Sequence, residues 1–200
     1  MMSIKIKPLS LVGPMGCGKS TLAPLLAKEL QWHYFDTDQI VVQNETLLSC
    51  HSERSEEYRS FMRSFGRLPQ DDRGNKLKAL EIFQKKGELY FREQEYQVLK
   101  KIFEENKNSY FVIALGGGTL VLEKNRDLLV SQTKSIFLKT SLEEIEKRLF
   151  LEDRPSWCST WLQKVYPQRI GFYEMSDIII DTDFKNPSQI VKEIVSALSS

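Results

Sequence analysis

The feature that most constrains this chain is the run Gly13-Pro14-Met15-Gly16-Cys17-Gly18-Lys19-Ser20-Thr21. A glycine, four unrestricted positions and Gly-Lys-Ser is the spacing of a phosphate-binding loop. Leu9-Ser10-Leu11-Val12 before it reads as a short apolar strand, and Thr21 to Leu30 after it carries apolar residues at helical spacing. Glycine at positions 13, 16 and 18 admits backbone angles that a Cβ forbids. Successive N–H groups can then turn inward on an anion. The positive end of the following helix adds to the same field. Lys19 supplies a full charge at the outer phosphates, and Ser20 a hydroxyl for Mg²⁺.

A chain of 200 residues is long enough for one domain with a real core. The 28 Lys and Arg against 27 Asp and Glu leave a net charge of +1. That balance gives no support for a nucleic-acid or membrane-surface partner. No basic-then-apolar leader opens the sequence, and no apolar run is long enough to span a bilayer. Cys17, Cys50 and Cys158 are far apart and odd in number, which suggests reduced thiols. The expectation is a cytoplasmic protein. No Cys/His set has metal-ligand spacing.

Trp32-His33-Tyr34-Phe35 reads as a second strand ending at Asp36-Thr37-Asp38. Residues i and i+2 on an extended segment point the same way, so Asp36 and Asp38 can face one site. The same residues suit a helix N-cap ahead of Gln39-Ile40-Val41-Val42. Alone, the cap is the better reading; behind a phosphate loop, the site is. From Asn44 to Arg73 the chain turns charged and serine-rich, with turn formers at Gly66, Pro69 and Gly74, and reads as an insert of helix and loop. Two helical stretches follow, separated at Gly87, and Arg92 near the start of the second reads by itself as a surface partner of Glu95.

Tyr110 to Leu115 is a nearly continuous apolar run, as in a strand covered on both faces. It breaks at Gly116-Gly117-Gly118. Close approach of a ligand and a flexible turn are level readings of those glycines. Ser135 to Lys139 makes a fourth strand. Ser141 and Glu144 form a capping box that opens a helix carrying Lys147-Arg148. Residues 151–162, with Arg154-Pro155, form a polar break that suits a lid. A helix with Arg169, a fifth strand at Asp177 to Asp181, and a closing helix entered through Asn186-Pro187 complete the chain. Alternation throughout implies an α/β fold, a parallel sheet covered on both faces.

Taken together, the Gly-Lys-Ser-Thr loop, Phe35-Asp36-Thr37-Asp38, Gly87-Glu88-x-x-Phe91-Arg92-x-x-Glu95, Gly116-Gly117-Gly118, Arg154-Pro155 and Arg169 resemble the shikimate kinase family. The likeness covers nearly all of the chain outside the insert. It implies a three-layer α/β/α P-loop kinase, a five-stranded parallel sheet ordered 2-3-1-4-5, and transfer of the ATP γ-phosphoryl group to the 3-hydroxyl of shikimate. By this resemblance Gly13 to Thr21 cradle ATP, Lys19 holds the transferring phosphates, and Ser20 and Asp36 serve Mg²⁺. Asp38 binds shikimate hydroxyls and accepts the attacking proton. Arg92 and Arg169 grip the shikimate carboxylate, and Gly116, Gly117 and Gly118 line that pocket. Arg154 descends from the lid onto the phosphates. Arg148 packs on adenine, with Lys185 and Pro187 in the bordering loop. The implied partner is the small molecule alone, and the implied state a monomer.

The chain departs from the family at the 44–73 insert and at Ser156-Trp157 after Arg154-Pro155. Cys17 lies within the phosphate cradle, where the positive surroundings favour a reactive thiolate shielded by ATP. A gluconate or nucleotide kinase is the rival enzyme reading. A GTP switch would need Asn-Lys-x-Asp, and Asn75-Lys76-Leu77-Lys78 lacks the acid.

Overall fold

Five short apolar strands form one parallel sheet in the computed structural model, which describes residues 7–49, 72–152 and 155–199. They are β1 (Leu9–Val12), β2 (His33–Asp36), β3 (Phe111–Ala114), β4 (Lys134–Lys139) and β5 (Ile178–Asp181). The order is β2-β3-β1-β4-β5, as the resemblance implies. The described helices are α1 (Lys19–Leu30), α2 (Thr37–Ser49), α3 (Asp72–Lys86), α4 (Glu88–Glu105), α5 (Glu123–Gln132), α6 (Leu142–Leu151), α7 (Trp157–Glu174) and α8 (Pro187–Ser199), with a 3-10 turn at Thr119–Val121.

Side chains alternate across the sheet with period two, and both faces are apolar. Leu9, Leu11, Val112, Ala114, Ile136 and Leu138 meet Leu22 and Leu26 of α1 and Ile190 and Ile194 of α8. Val12, Phe111, Ile113 and Phe137 face the other way, onto Val41 of α2, Leu99 and Ile102 of α4, Leu129 of α5 and Tyr173 of α7. This is the expected three-layer arrangement. In sequence order the chain leaves β1 for one side of the sheet and later leaves β3 for the other. The crevice between the C-terminal ends of β1 and β3 is therefore the switch point where such sheets bind ligands.

Local signals set the helix ends. Asn186 Oδ1 accepts from the Gln189 N–H at 3.0 Å, and Gln189 Oε1 accepts from the Asn186 N–H at 2.9 Å, a complete capping box with Pro187 as first helical residue. At α6 only half of the predicted box forms. Ser141 Oγ accepts from the Glu144 N–H, but Asp183 takes the Ser141 N–H and Glu144 turns to Arg148.

Three boundaries differ from the sequence reading. Helix α2 begins at Thr37, so Asp38 lies in a helical turn and not on the extended strand; the i, i+2 argument does not apply to it. Asn44 to Ser49 continue α2, and α3 begins at Asp72, so the departure from regular structure is narrower than 44–73. Residues 50–71 of that insert lie outside the described residues. Trp157 to Leu162, assigned to the lid, are already the first turns of α7.

Phe137 is fully buried at the sheet centre, with its ring 5.4 Å from that of Tyr173. Phe137→Ala should destabilise the fold by about 3–5 kcal/mol. Guanidinium unfolding at unchanged slope would show it, and a midpoint within error of the parent would contradict the packing described.

Candidate functional site

The loop after β1 takes the expected backbone path: Gly13, Gly16 and Gly18 all have positive φ, at 144°, 82° and 103°. Lys19 opens α1 at 7% exposure, and its ammonium donates to Gly13 O at 2.8 Å and Pro14 O at 2.7 Å. A full charge is thus fixed against the backbone of the glycine-rich loop. Ser20 and Thr21, on the first turn of α1, line the same cleft.

Arg148 joins this loop to the one after β5. Its guanidinium donates to Cys17 O at 3.3 Å and Thr182 O at 3.4 Å, and Glu144 holds its Nε at 3.1 Å. The incomplete capping box therefore has a purpose: the carboxylate that would have closed it orients Arg148. Lys185 Nζ is engaged by Asp181 O at 2.9 Å and by Glu193 at 2.8 Å. Lys185 and the exposed Pro187 are not part of the cleft wall.

The glycine run after β3 faces the phosphate loop. None of Gly116, Gly117 and Gly118 has positive φ, so space and not torsion is what excludes a side chain there. A Cβ on Gly116 would lie 2.6 Å from Asp38 Oδ1 and would overlap Glu95 Oε1. A Cβ on Gly118 would run into the guanidinium of Arg92. The groups that crowd these glycines are the protein's own charges. The Thr37 hydroxyl accepts from the Gly116 N–H at 3.0 Å, and Tyr173 Oη donates to Gly117 O. Burial pushes the Tyr173 phenol up, so it stays a donor.

Both arginines are buried. Arg92 is 5% exposed, and its Nη1 meets Glu95 Oε2 at 2.5 Å. Glu95 is itself inaccessible, with its other oxygen accepting from Thr119 Oγ1. Desolvation is the largest single influence and would lower the Arg92 pKa, but the charge and hydrogen bond of Glu95, with the charges of Glu88 and Asp38, together raise it. Arg169, at 6% exposure, pairs with Glu88 Oε1 at 2.6 Å and lies 4.8 Å over the Trp161 ring. Burial lowers its pKa, yet a guanidinium stays charged across the physiological range. The reading of Arg92 as a surface partner of Glu95 is right about the pair and wrong about the surface.

The cleft brings most of the predicted residues together. Lys19, Ser20 and Thr21 stand on one side; Asp38, Arg92, Gly117, Gly118 and Arg169 stand on the other. Phe83, Trp161, Leu162 and Tyr166 add an apolar wall. Asp36 is buried at the strand end, where its Oδ1 accepts from the N–H groups of Asp38 and Gln39 at 3.1 and 3.2 Å. For Asp36 the N-cap reading was correct. Arg154 lies outside the described residues. Glu88, Glu95, Thr37 and Tyr173 were not assigned roles from sequence. Glu88 and Glu95 flank Arg92 at i−4 and i+3, a visible signal. Nothing in the sequence marks Thr37 or Tyr173.

Cys17 corrects an expectation. Its side chain is fully buried in the apolar cluster of β1, α1 and α8. It contributes its backbone to the loop, and its sulfur, 3.6 Å from Lys19 Nζ, has no solvent exposure through which an alkylating reagent could reach it.

A family model described as Shikimate kinase matches residues 15–59 and 72–199 of this chain. A shikimate kinase of Moorella thermoacetica is 31% identical over 199 residues, covering 95% of this chain and 93% of that protein. The crystal structure of shikimate kinase from Aquifex aeolicus is 29% identical with a TM-score of 0.66, covering 96% of each chain. An Acinetobacter baumannii shikimate kinase in complex with shikimate has the same fold, with a TM-score of 0.72 at 22% identity, covering 97% of this chain and 93% of that one.

Iodoacetamide should leave Cys17 unmodified in the native protein, both with and without Mg-ATP, and label it only after denaturation. Peptide mapping by mass spectrometry reads the site directly; rapid native labelling at Cys17 would place the thiol at the surface.

Proposed function

We infer that this chain, which belongs to the shikimate kinase family, uses the crevice between β1 and β3 to present the 3-hydroxyl of shikimate to ATP. It is a phosphotransferase acting on an alcohol group, with ATP as co-substrate, and its product is shikimate 3-phosphate on the route to chorismate and aromatic amino acids. The observation that carries the geometry is the pair of buried guanidinium groups facing Lys19 across one cleft.

Phosphoryl transfer asks a protein chiefly for positioning and charge. The phosphate loop supports the first through its inward N–H groups, and Lys19 supplies the second. Arg92 and Arg169 are proposed to take the acceptor carboxylate with planar donor forks, which fix orientation as well as affinity. The apolar wall of Phe83, Trp161 and Leu162 suits the carbon face of a six-membered ring. Gluconate also has a carboxylate but lacks that ring, which favours shikimate over the rival acceptor. Asp38, beside Gly116, is proposed to bind the acceptor hydroxyls and take the departing proton. In a loose transition state that proton leaves late, so orientation is the larger part of its work.

A magnesium ion fits the oxygen donors here: the Ser20 hydroxyl lines the cleft, and Asp36 would reach the ion through water because its Oδ1 caps α2. Bound with ATP, the ion supplies neutralising charge at the phosphates. Arg148, between the phosphate loop and Thr182, supports the adenine end. Pro187 and Lys185 are proposed to border the base through their loop, and Arg154 to close on the phosphates. The free thiols Cys17 and Cys158 fit a cytoplasmic enzyme, proposed as a monomer.

A coupled ADP-release assay should show turnover stimulated by shikimate and not by gluconate or nucleoside monophosphates. Lys19→Ala should reduce kcat below detection. Arg169→Ala should raise the shikimate KM by about tenfold or more, the loss of one charge-assisted contact, with the ATP KM little changed. An unchanged shikimate KM would remove Arg169 from the acceptor site.

A further inference from the structure

Each buried arginine of the acceptor site has a carboxylate and an aromatic face of its own. Arg92 has Glu95 at 2.5 Å, with Phe91 and Phe83 rings 5.4 and 5.7 Å from its guanidinium carbon. Arg169 has Glu88 at 2.6 Å and the Trp161 ring at 4.8 Å. The rings of Phe83 and Trp161 meet edge to face at 5.9 Å, so the two arginines share one aromatic support. The ionic link between them is a single atom. Glu88 Oε1 pairs with Arg169 Nη2 and also lies 3.4 Å from both Nε and Nη2 of Arg92.

Resting on the acceptor assignment above, we propose that Glu88 is the positioning residue of this site, fixing the guanidinium of Arg169 beside that of Arg92 so that both meet one carboxylate. The two arginines come from different helices, α4 and α7. Like charges brought together by packing repel, and after burial itself the Arg92 charge adds to the lowering of the Arg169 pKa. Among the described residues Arg169 has one carboxylate within ion-pair distance, Glu88. Removing that charge leaves a buried cation next to another cation, a costly arrangement relieved by rotation of the Arg169 side chain out of the site. Glu95 does not substitute, because its two oxygens are engaged by Arg92 and Thr119. Glu88 itself is the first residue of α4, after Gly87 at φ 86°, so its backbone is anchored while its side chain is 40% exposed at the edge of the cleft. It contacts the two side chains that contact the acceptor, and acts through them.

The test is steady-state kinetics of full-length wild type, Glu88→Gln and Glu88→Asp, with shikimate and ATP each varied, alongside thermal melting. Glu88→Gln should raise the shikimate KM by about tenfold or more while the ATP KM moves by less than about twofold and kcat falls far less than kcat/KM. Glu88→Asp should recover part of the lost shikimate affinity, since it keeps the charge on a shorter stem. A wild-type shikimate KM in Glu88→Gln would overturn the proposal. So would a lowered KM, which would make Glu88 a competitor for the arginines. A parallel loss in both KM values with a lower melting temperature and no rescue by Asp would reduce Glu88 to general stability and overturn it too. Wild type without shikimate-dependent turnover would remove the acceptor assignment and this proposal together; normal wild-type turnover with an unaffected Glu88→Gln removes only this one.

Discussion

Parallel pairing of β1 with β3 is the constraint on which the cleft depends. Leu9, Ser10 and Leu11 lie opposite Val112, Ile113 and Ala114, so both strands end at the same level. The chain leaves each end through a glycine-rich loop, and the two loops come into backbone contact. A Cβ on Gly117 would sit 3.0 Å from the Met15 N and 3.4 Å from the Pro14 carbonyl carbon. On the function proposed above, a donor loop and an acceptor loop at that separation would put two anionic molecules within bonding reach of each other. Proximity of that kind supplies much of the catalytic advantage available to an in-line transfer.

Electrostatics follow from the same placement. Bringing anions together inside a protein needs cations that are already oriented, because a mobile lysine on the surface would spend binding energy on its own ordering. Here Lys19, Arg92 and Arg169 are each below 8% exposure and each fixed by hydrogen bonds or ion pairs. Buried cations carry a desolvation cost, which explains the carboxylates Glu88 and Glu95 beside them. Glu95 with Asp38 needs room beside Gly116, and the Arg92 guanidinium needs room beside Gly118, which explains the absence of side chains there. The glycine run is thus a consequence of the arginines, one step removed from the ligand.

How much of this was legible in sequence depends on the range of the interaction. The phosphate loop is local: its glycines, its lysine and its helix lie in one stretch of chain, and every part is where the spacing put it. Strand content and the two-faced burial of Phe111 to Ala114 were legible for the same reason. Asp38 lines the cleft with Lys19 and Arg92, but not for the reason the spacing suggests, since the extended geometry stops at Asp36. Pairs whose members are 56 to 81 residues apart carried no signal. Glu88 with Arg169, Thr37 with Gly116 and Tyr173 with Gly117 exist only because the fold brings distant segments together. Capping shows the boundary between the two cases. Asn186 and Gln189 complete a box that the sequence alone specifies, while at α6 the Ser141 N–H goes to Asp183, 42 residues away, and Glu144 pairs with Arg148 one turn on.

The segment between α2 and α3 interrupts the acceptor-side helices, which raises the question of what keeps Asp38 and Arg92 in register. The answer lies at its base. Glu45 of α2 is nearly inaccessible, and its carboxylate accepts from Lys86 Nζ at 2.5 Å and from the Tyr90 hydroxyl. Lys86 ends α3, and Tyr90 is in the first turn of α4. One carboxylate therefore joins the helix that carries Asp38 to the helix that carries Arg92, across the junction at Gly87. Lys86 also lies 4.6 Å over the Tyr90 ring, so the three groups lock each other. The hydrogen bonds that Glu45 accepts raise the pKa of both Lys86 and Tyr90. Because α2, α3 and α4 are tied directly to each other through Glu45, the placement of Arg92 relative to Asp38 is set by these helices themselves, through contacts made entirely at the base of the junction.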